Sequence, residues 1–521
     1  MIVADARRLA AGGRVRTAAH WLPAVTAVAY LTTAAAMGPR IARLLGWDTD
    51  VSAPLVLAER LRGSGTVYLP HISTWTTLWF ELATRNLPGH EELWEGSSYV
   101  FAVIGAALVG WATARVATRW AGVTAFAIGL IVGPLTLRTL FTLDLHVTTP
   151  FTATVLAAFL VLLGRPQARL LAVPVGIVAG LNAASDPLLW PAGILPFALA
   201  GAVFALTARR RDIAVRAALT LAFAGVAAVS ANRVMHSLGY HEIGAGQPFA
   251  TLGDLPGHVL LLGRMVALLG GANYALPGPY PVEPLRIIVA LVVAFAVITP
   301  LLAAVKYSRR EADPLRRAYA CYWAAAAATL GIAFVATSNA SSLGAGSFNY
   351  LLTLAPAAGA GVALLSFESD RARLLAALGV ALIGVTNLVG VAQGRADTPK
   401  GMIGTHEEPL ARWLAEKHVT RGYAGYWDAQ NLTWQSDMRI FVAPVTRCDV
   451  PNKPLCQVRI FTIESWYAEQ PGPSFLIVDP TNGFVTTPPP IVRDARFTSR
   501  FGRLRVYIFP YDVARHIGVS P

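Results

Sequence analysis

Apolar runs of membrane-crossing length recur along most of this chain, separated by short polar segments. Such runs are read at about 20–37, 98–116, 121–141, 148–164, 170–184, 187–207, 213–233, 286–305, 318–337, 349–367 and 373–393. A stretch of about 17–25 mostly apolar residues suffices for a helix to cross the hydrocarbon core. The pattern therefore predicts an α-helical polytopic membrane protein with about 11 transmembrane helices. Basic residues mark alternate connections. Arg7, Arg8, Arg14 and Arg16 precede the first span, and Arg115 and Arg119, Arg165 and Arg169, then Arg209, Arg210 and Arg211 follow. Lys306, Arg309, Arg310, Arg316 and Arg317, and finally Arg371 and Arg373, continue the series. The intervening LDLHVTT and NAASDP segments carry no Lys or Arg. Because short cytoplasmic loops concentrate these cations, the N-terminus is expected inside and the C-terminus outside. Arg40 and Arg43 depart from the alternation within a long loop, where the rule is weak.

Two divisions are expected: a membrane core over 1–394 with long outer loops at 38–97 and 234–285, and an extracytoplasmic domain over 395–521. The second loop contains LPGHVLLLGRMVALLGG, interrupted by His258 and Arg264. It reads as a helix lying in the interface. In the tail, EEPLARWLAEKH has helical spacing, whereas GYAGYW, RIFVAPV, SFLIVDP and LRVYIFP read as strands between Pro and Gly breaks. Strands alternating with helix predict a small α/β domain.

Composition agrees with a bilayer as solvent. Of 521 residues, 55% are hydrophobic and only 14% charged, against roughly 25% charged in soluble chains. The net charge of +13 comes largely from the loop clusters, so it does not imply a nucleic-acid partner. Of three cysteines, Cys321 opens an apolar span. Cys448 and Cys456 bracket DVPNKPL and either close a disulfide, favoured outside the cytoplasm, or remain free thiols. No convincing signal-peptide cleavage site follows the first span.

Candidate chemistry gathers on the predicted outer side. Asp48 and Asp50, in GWDTD, follow the first span; a carboxylate there could deprotonate a hydroxyl, or the pair could help hold a divalent cation such as Mg or Mn. Solvated loop aspartates are the plain alternative. Asp144 and His146, in LDLHVTT, form a second acidic site, and Asp186 supplies a third outer carboxylate unless it merely caps a helix before Pro187. Arg138, Arg233 and Arg264 could bind a phosphate, since guanidinium matches phosphate geometry; snorkelling to the interface competes. Trp47, Trp75, Trp79 and Trp94 fit an interfacial aromatic belt, and Tyr423, Tyr426, Trp427 and Trp434 a packed core or docking face. The acceptor pattern at Asn431-Leu432-Thr433 is common by chance. There is no GxxxxGK[ST] loop, which argues against an ATP-driven motor, and Cys and His show no metal-ligand spacing.

This arrangement resembles the GT-C class of membrane glycosyltransferases, which use polyprenyl-phosphate-linked sugars. The shared features are an inward N-terminus, one span, an outer loop opening on acidic residues (GWDTD), a multi-helix core and an outer C-terminal domain. The resemblance implies a catalytic base at Asp48 or Asp50, without choosing between them, and a second outer carboxylate at Asp144. High Ala, Arg and Gly usage and the YAGYWDA segment also resemble actinobacterial membrane proteins, which implies envelope glycan assembly. The expected partners are the lipid bilayer, a polyprenyl-phosphate sugar donor, and an envelope glycan or glycolipid acceptor. The first outer loop lacks the denser acidic cluster of the class, so a non-catalytic membrane scaffold is a rival. A secondary transporter is another, but it predicts matched repeats and charges at the bilayer midplane, and neither is found.

Overall fold

The computed structural model describes residues 21–38, 49–61, 66–70, 82–83, 86–87, 90–141, 146–243, 249–272, 283–309, 311–337, 350–392, 407–450, 453–481 and 483–519. They fall into two compact units. The first comprises Met1–Ala42, Glu91–Ala231 and Gly246–Pro399; the second comprises Arg43–His90, Asn232–Ala245 and Lys400–Pro521. The tail thus folds together with residues from both long loops.

The first unit is helical. Among the described residues eight helices are long and apolar enough to cross a membrane: Trp21–Gly38, Gly96–Val116, Ala168–Ser185, Trp190–Ala208, Arg211–Ser237, Pro284–Tyr307, Pro314–Ala336 and Asp370–Ala392. Shorter apolar helices cover Thr148–Leu162, Leu255–Leu269 and Leu354–Ser366. Their outward faces are apolar: Leu170 is 80% exposed, Leu206 77% and Leu375 69%. Exposed apolar patches on this scale are rare in water-soluble monomers. The chain is a multi-pass membrane protein.

Small residues let the helices approach. In GIVAG, Gly176 and Gly180 lie one turn apart, against the carbonyls of Thr220 and Ala224. A Cβ on Gly180 would sit 2.2 Å from the Ala224 oxygen. This is the small-xxx-small pattern of membrane helix pairs, where close backbone approach supplies the packing energy. Elsewhere the core is filled by buried Tyr319, Tyr322 and Trp323; the Tyr322 hydroxyl donates to the Ala153 carbonyl at 2.6 Å.

One expected span is corrected. The run read at 121–141 is two helices, Arg119–Leu130 and Pro134–Leu140. Pro134 has no N–H to donate and disfavours helical geometry at the preceding residue. The carbonyl of Val132 instead accepts from the buried Tyr30 hydroxyl at 2.7 Å, and the Gly133 N–H donates to the Leu269 carbonyl at 3.0 Å. Irregular backbone within a membrane protein persists where protein groups satisfy it in this way.

Cations knit helix ends together. Lys306 pairs with Glu368 at 2.7 Å, Arg316 donates to the Val116 carbonyl at 3.2 Å, and Arg216 donates to the Leu163 carbonyl at 2.6 Å.

The second unit is built on strands β1 (Val67–Pro70), β2 (Tyr240–Ile243), β3 (Arg421–Ala424), β4 (Phe441–Val450), β5 (Lys453–Gln457), β6 (Thr462–Ile463), β7 (Ser474–Val478), β8 (Phe497–Phe501), β9 (Leu504–Phe509) and β10 (Ile517–Gly518). They form a three-stranded sheet ordered β2-β1-β6 and a seven-stranded sheet ordered β10-β5-β4-β3-β7-β9-β8. The central strands β4, β3 and β7 are parallel, and a parallel neighbour requires a crossover. Helix Tyr426–Gln435 provides it between β3 and β4. The expected GYAGYW strand is corrected accordingly: it is extended only through Ala424, and helix begins at Tyr426. Leu410, Leu414, Ala429 and Leu432 from the helices pack onto Val442, Ile477 and Val506 of the sheet. Cys448 and Cys456 are bonded across the β4–β5 hairpin with Cα atoms 5.7 Å apart. The Asn431 side chain is buried and accepts from the Ser52 hydroxyl at 2.8 Å, which leaves no room for a glycan there.

Candidate functional site

Within the first unit, polar side chains concentrate where the Thr148–Leu162 helix begins and the Ala168–Ser185 helix ends. Both helices owe this to their sequences. HVTTPFT places His146 just ahead of the first helix and Thr148, Thr149 and Thr152 on its opening turns. On the second, Asn182 and Asp186 are four residues apart and so share a face. Asp186 closes that helix in an extended conformation, and Pro187 follows it.

The Asp186 carboxylate is 1% exposed. Its Oδ2 accepts from the Thr149 hydroxyl at 2.5 Å and lies 3.0 Å from His146 Nδ1. Its Oδ1 accepts from the Leu188 N–H at 3.0 Å, which starts the next helical segment. One turn back, the Asn182 amide donates to the Thr148 carbonyl at 3.2 Å and to the Thr152 hydroxyl at 2.9 Å. Its carbonyl oxygen accepts from Thr148 Oγ1 at 3.1 Å. The result is a buried polar zipper between two helices, with the His146 ring resting 4.6 Å from that of Tyr350. A buried carboxylate is tolerated only when its lone pairs are met; here three donors meet them.

A carboxylate holding Nδ1 fixes the imidazole's tautomer and direction, because the carboxylate can only accept. His146 is thereby pinned two residues after Asp144. Asp186 thus does more than cap a helix. Its role in the zipper was not evident from composition, nor was that of Thr148, Thr149, Thr152 or Asn182; the available signal was threonines at helical spacing opposite an Asn/Asp pair four apart.

The other expected site residues are distributed as follows. Asp48 and Asp144 lie outside the described residues. Asp50 falls on the helix Thr49–Arg60, with its side chain outside the described set. Arg138 is on the Pro134–Leu140 helix, its side chain likewise. That helix packs against Leu255–Leu269, which bears an exposed Arg264, and the Thr136 hydroxyl donates to the Leu269 carbonyl at 3.5 Å. Two of the three candidate phosphate-binding arginines therefore ride on neighbouring helices. Arg233 is exposed near the end of Arg211–Ser237 and belongs to the second unit. Among the described residues no group of three or more His, Cys, Asp and Glu could hold a metal ion.

No protein-family model matches the sequence, and no curated protein matches it in sequence. Solved structures do match in fold. ArnT from Cupriavidus metallidurans, bound to undecaprenyl phosphate, aligns with a TM-score of 0.51 and 12% identity over 94% of this chain and 99% of that one. The archaeal oligosaccharyltransferase AglB from Archaeoglobus fulgidus, in complex with an inhibitory peptide and a dolichol-phosphate, aligns with a TM-score of 0.49 and 16% identity over 81% of this chain. The oligosaccharyltransferase of the same organism in complex with Zn and sulfate gives 0.49 and 14%. This chain spans 64% and 62% of those two larger proteins. At these identities the likeness is one of fold.

Proposed function

We propose that this protein is a plasma-membrane glycosyltransferase that moves a sugar from a polyprenyl-phosphate donor to an envelope glycan or glycolipid at the outer face. One observation carries the reading: the fold corresponds over nearly its whole length to ArnT, which was solved with undecaprenyl phosphate bound. The alternation of basic loops supports an N-terminus inside and a tail domain outside, and the disulfide between Cys448 and Cys456 suits an oxidising compartment.

In the proposed reaction the acceptor hydroxyl oxygen attacks the sugar's anomeric carbon as the bond from that carbon to the lipid phosphate breaks. Asp48 or Asp50 takes the hydroxyl proton, and the lipid phosphate leaves as an anion. Arg138, helped by Arg264, neutralises that anion, a charge that grows in the transition state and is best met by preorganised donors. Asp144 is the second outer carboxylate. The zipper around Asp186 is a positioning device, since it anchors His146 and the helix that follows the Asp144 loop. Loss of a general base typically slows such a step by about 10²–10⁴-fold.

The donor half can be tested by binding. Native mass spectrometry of the detergent-released protein with undecaprenyl phosphate, in competition with unphosphorylated undecaprenol, should show saturable retention of the phosphate form. Equal retention of both lipids would mean that no phosphate site exists, and the transferase reading would fall.

A further inference from the structure

The second unit contains a cleft of about 660 Å³, well within the range of small-ligand sites, about 300–1,000 Å³. Its described lining residues are distinct from the groups placed in the proposed reaction. Glu59 and Arg60 enter it from the end of the Thr49–Arg60 helix; Thr420, Arg421, Arg439, Phe441, Ser465 and Gln470 come from the tail.

Its electrostatics are lopsided. Among the described residues three arginines line it against one glutamate; Arg421 and Arg439 each have a carboxylate within 4 Å, Asp512 and Asp437. Arg60 and Arg421 both lie over the Phe441 ring, at 5.0 and 5.9 Å from its centroid. Arg421 is held in place: it donates to the carbonyls of Trp466 and Ala468 at 2.7 and 3.0 Å and lies 3.5 Å from the Asp512 carboxylate. Arg60 donates to the Met438 carbonyl at 3.0 Å and has no carboxylate partner among the described residues. Burial, and then the charge of Arg421, push its pKa down, so the fold keeps two like charges together at a cost. The carbonyl that Arg60 grips belongs to a turn in which Asp437 and Met438 both adopt left-handed φ, 51° and 61°. For Met438, which lacks the short polar side chain that eases this conformation, such backbone is unfavourable.

We infer that this cleft binds an anionic saccharide, its carboxylate or phosphate held between Arg60 and Arg421 and its ring hydroxyls met by Thr420, Ser465 and Gln470. Guanidinium pairs match carboxylate and phosphate oxygens, the Phe441 ring offers a flat apolar wall, and hydroxyl and amide groups complete a polar rim. The volume exceeds what a lone ion needs. The identification of the occupant as part of the acceptor glycan rests on the transferase reading; the site itself does not.

The test is direct binding to the full-length protein in nanodiscs by isothermal calorimetry, without turnover. The probes are trigalacturonate, neutral maltotriose and inorganic phosphate. Trigalacturonate should bind at least tenfold more tightly than maltotriose and lose roughly tenfold in Arg60→Gln, the scale of one charge-assisted hydrogen bond. Arg439→Gln alters a side chain that is 77% exposed and pairs with Asp437; it should fold normally and weaken trigalacturonate by a smaller factor. Equal binding of trigalacturonate and maltotriose, unchanged affinity in both variants, or phosphate competing as well as the oligosaccharide would each overturn the proposal. Anionic binding without sugar transfer would retain the site and sink the transferase reading. Transfer without anionic binding would do the reverse.

Discussion

Replacing Asp186 by alanine deprives three groups of their acceptor at once: the Thr149 hydroxyl, the His146 ring and the Leu188 N–H. A buried donor left unmet costs about 1–3 kcal/mol in soluble proteins, but hydrogen bonds between membrane helices average only ~0.6 kcal/mol, because the membrane-embedded unfolded chain finds other partners. Three lost bonds at ~0.6 kcal/mol come to about 2 kcal/mol, and one buried donor left at the upper soluble value of ~3 kcal/mol raises the sum to about 4. We expect a loss of about 2–4 kcal/mol for Asp186→Ala. The sharper quantity is the coupling with His146. If the two side chains act as one unit, His146→Ala in the Asp186→Ala background should cost little, giving an interaction energy of about 1–2 kcal/mol. Reversible unfolding of the four proteins in mixed micelles with increasing dodecyl sulfate measures it. Additivity within ~0.3–0.5 kcal/mol, the behaviour of independent sites, would refute the zipper as a coupled device.

Further outcomes are expected. Cys448→Ser should lower the stability of the tail domain by about 2–3 kcal/mol, as for a short closed loop, and should leave the buried Cys456 as a free thiol that is alkylated once the domain is unfolded, read as one more mass increment than wild type. Gly180→Ala should destabilise the helix pair by about 1–3 kcal/mol, because its Cβ would collide with the Ala224 carbonyl; an unchanged thermal midpoint would mean that this contact is not made. Burial, then the charges of Arg515 and Lys453, push the His516 pKa below its usual value. The unfolded chain therefore takes up this proton first, and the stability contributed by neutral His516 is complete above about pH 6.5 and lost as the pH falls below it. The tail-domain midpoint should drop more between pH 7.5 and 5.5 in wild type than in His516→Gln, and equal drops would contradict this.

The membrane helices were legible because a bilayer imposes long apolar runs and leaves little else that they can be. Of the tail strands, β4, β7 and β9 were legible from Val, Ile and Phe runs between Pro and Gly, and β3 in part, whereas β5, β6, β8 and β10 were not read. Errors arose where a local signal was overridden or overlooked. Gly133-Pro134 breaks an apolar run that reads as one span, and the break survives because Tyr30, about a hundred positions earlier, satisfies it. The Tyr426–Gln435 helix is rich in aromatic residues that favour strands, yet a parallel β3–β4 pair needs a crossover there, which tertiary context supplies. Asp186 was visible as an outer carboxylate and a possible helix cap, but its partners His146 and Thr149 reach it only through the packing of two helices, at which threonine spacing merely hints. The charged cleft of the second unit was invisible for the same reason, since Arg60 and Arg421 are 361 positions apart.

The central claim, sugar transfer driven by a first-loop carboxylate, is tested most directly by envelope glycan composition. A deletion strain would be complemented with wild type, Asp48→Asn or Asp50→Asn, and membrane levels of each protein checked. The account predicts that a sugar missing from the deletion strain returns with wild type and fails to return with one of the two variants at normal protein levels. Full restoration by both variants would contradict it and move a non-catalytic assembly role to first place.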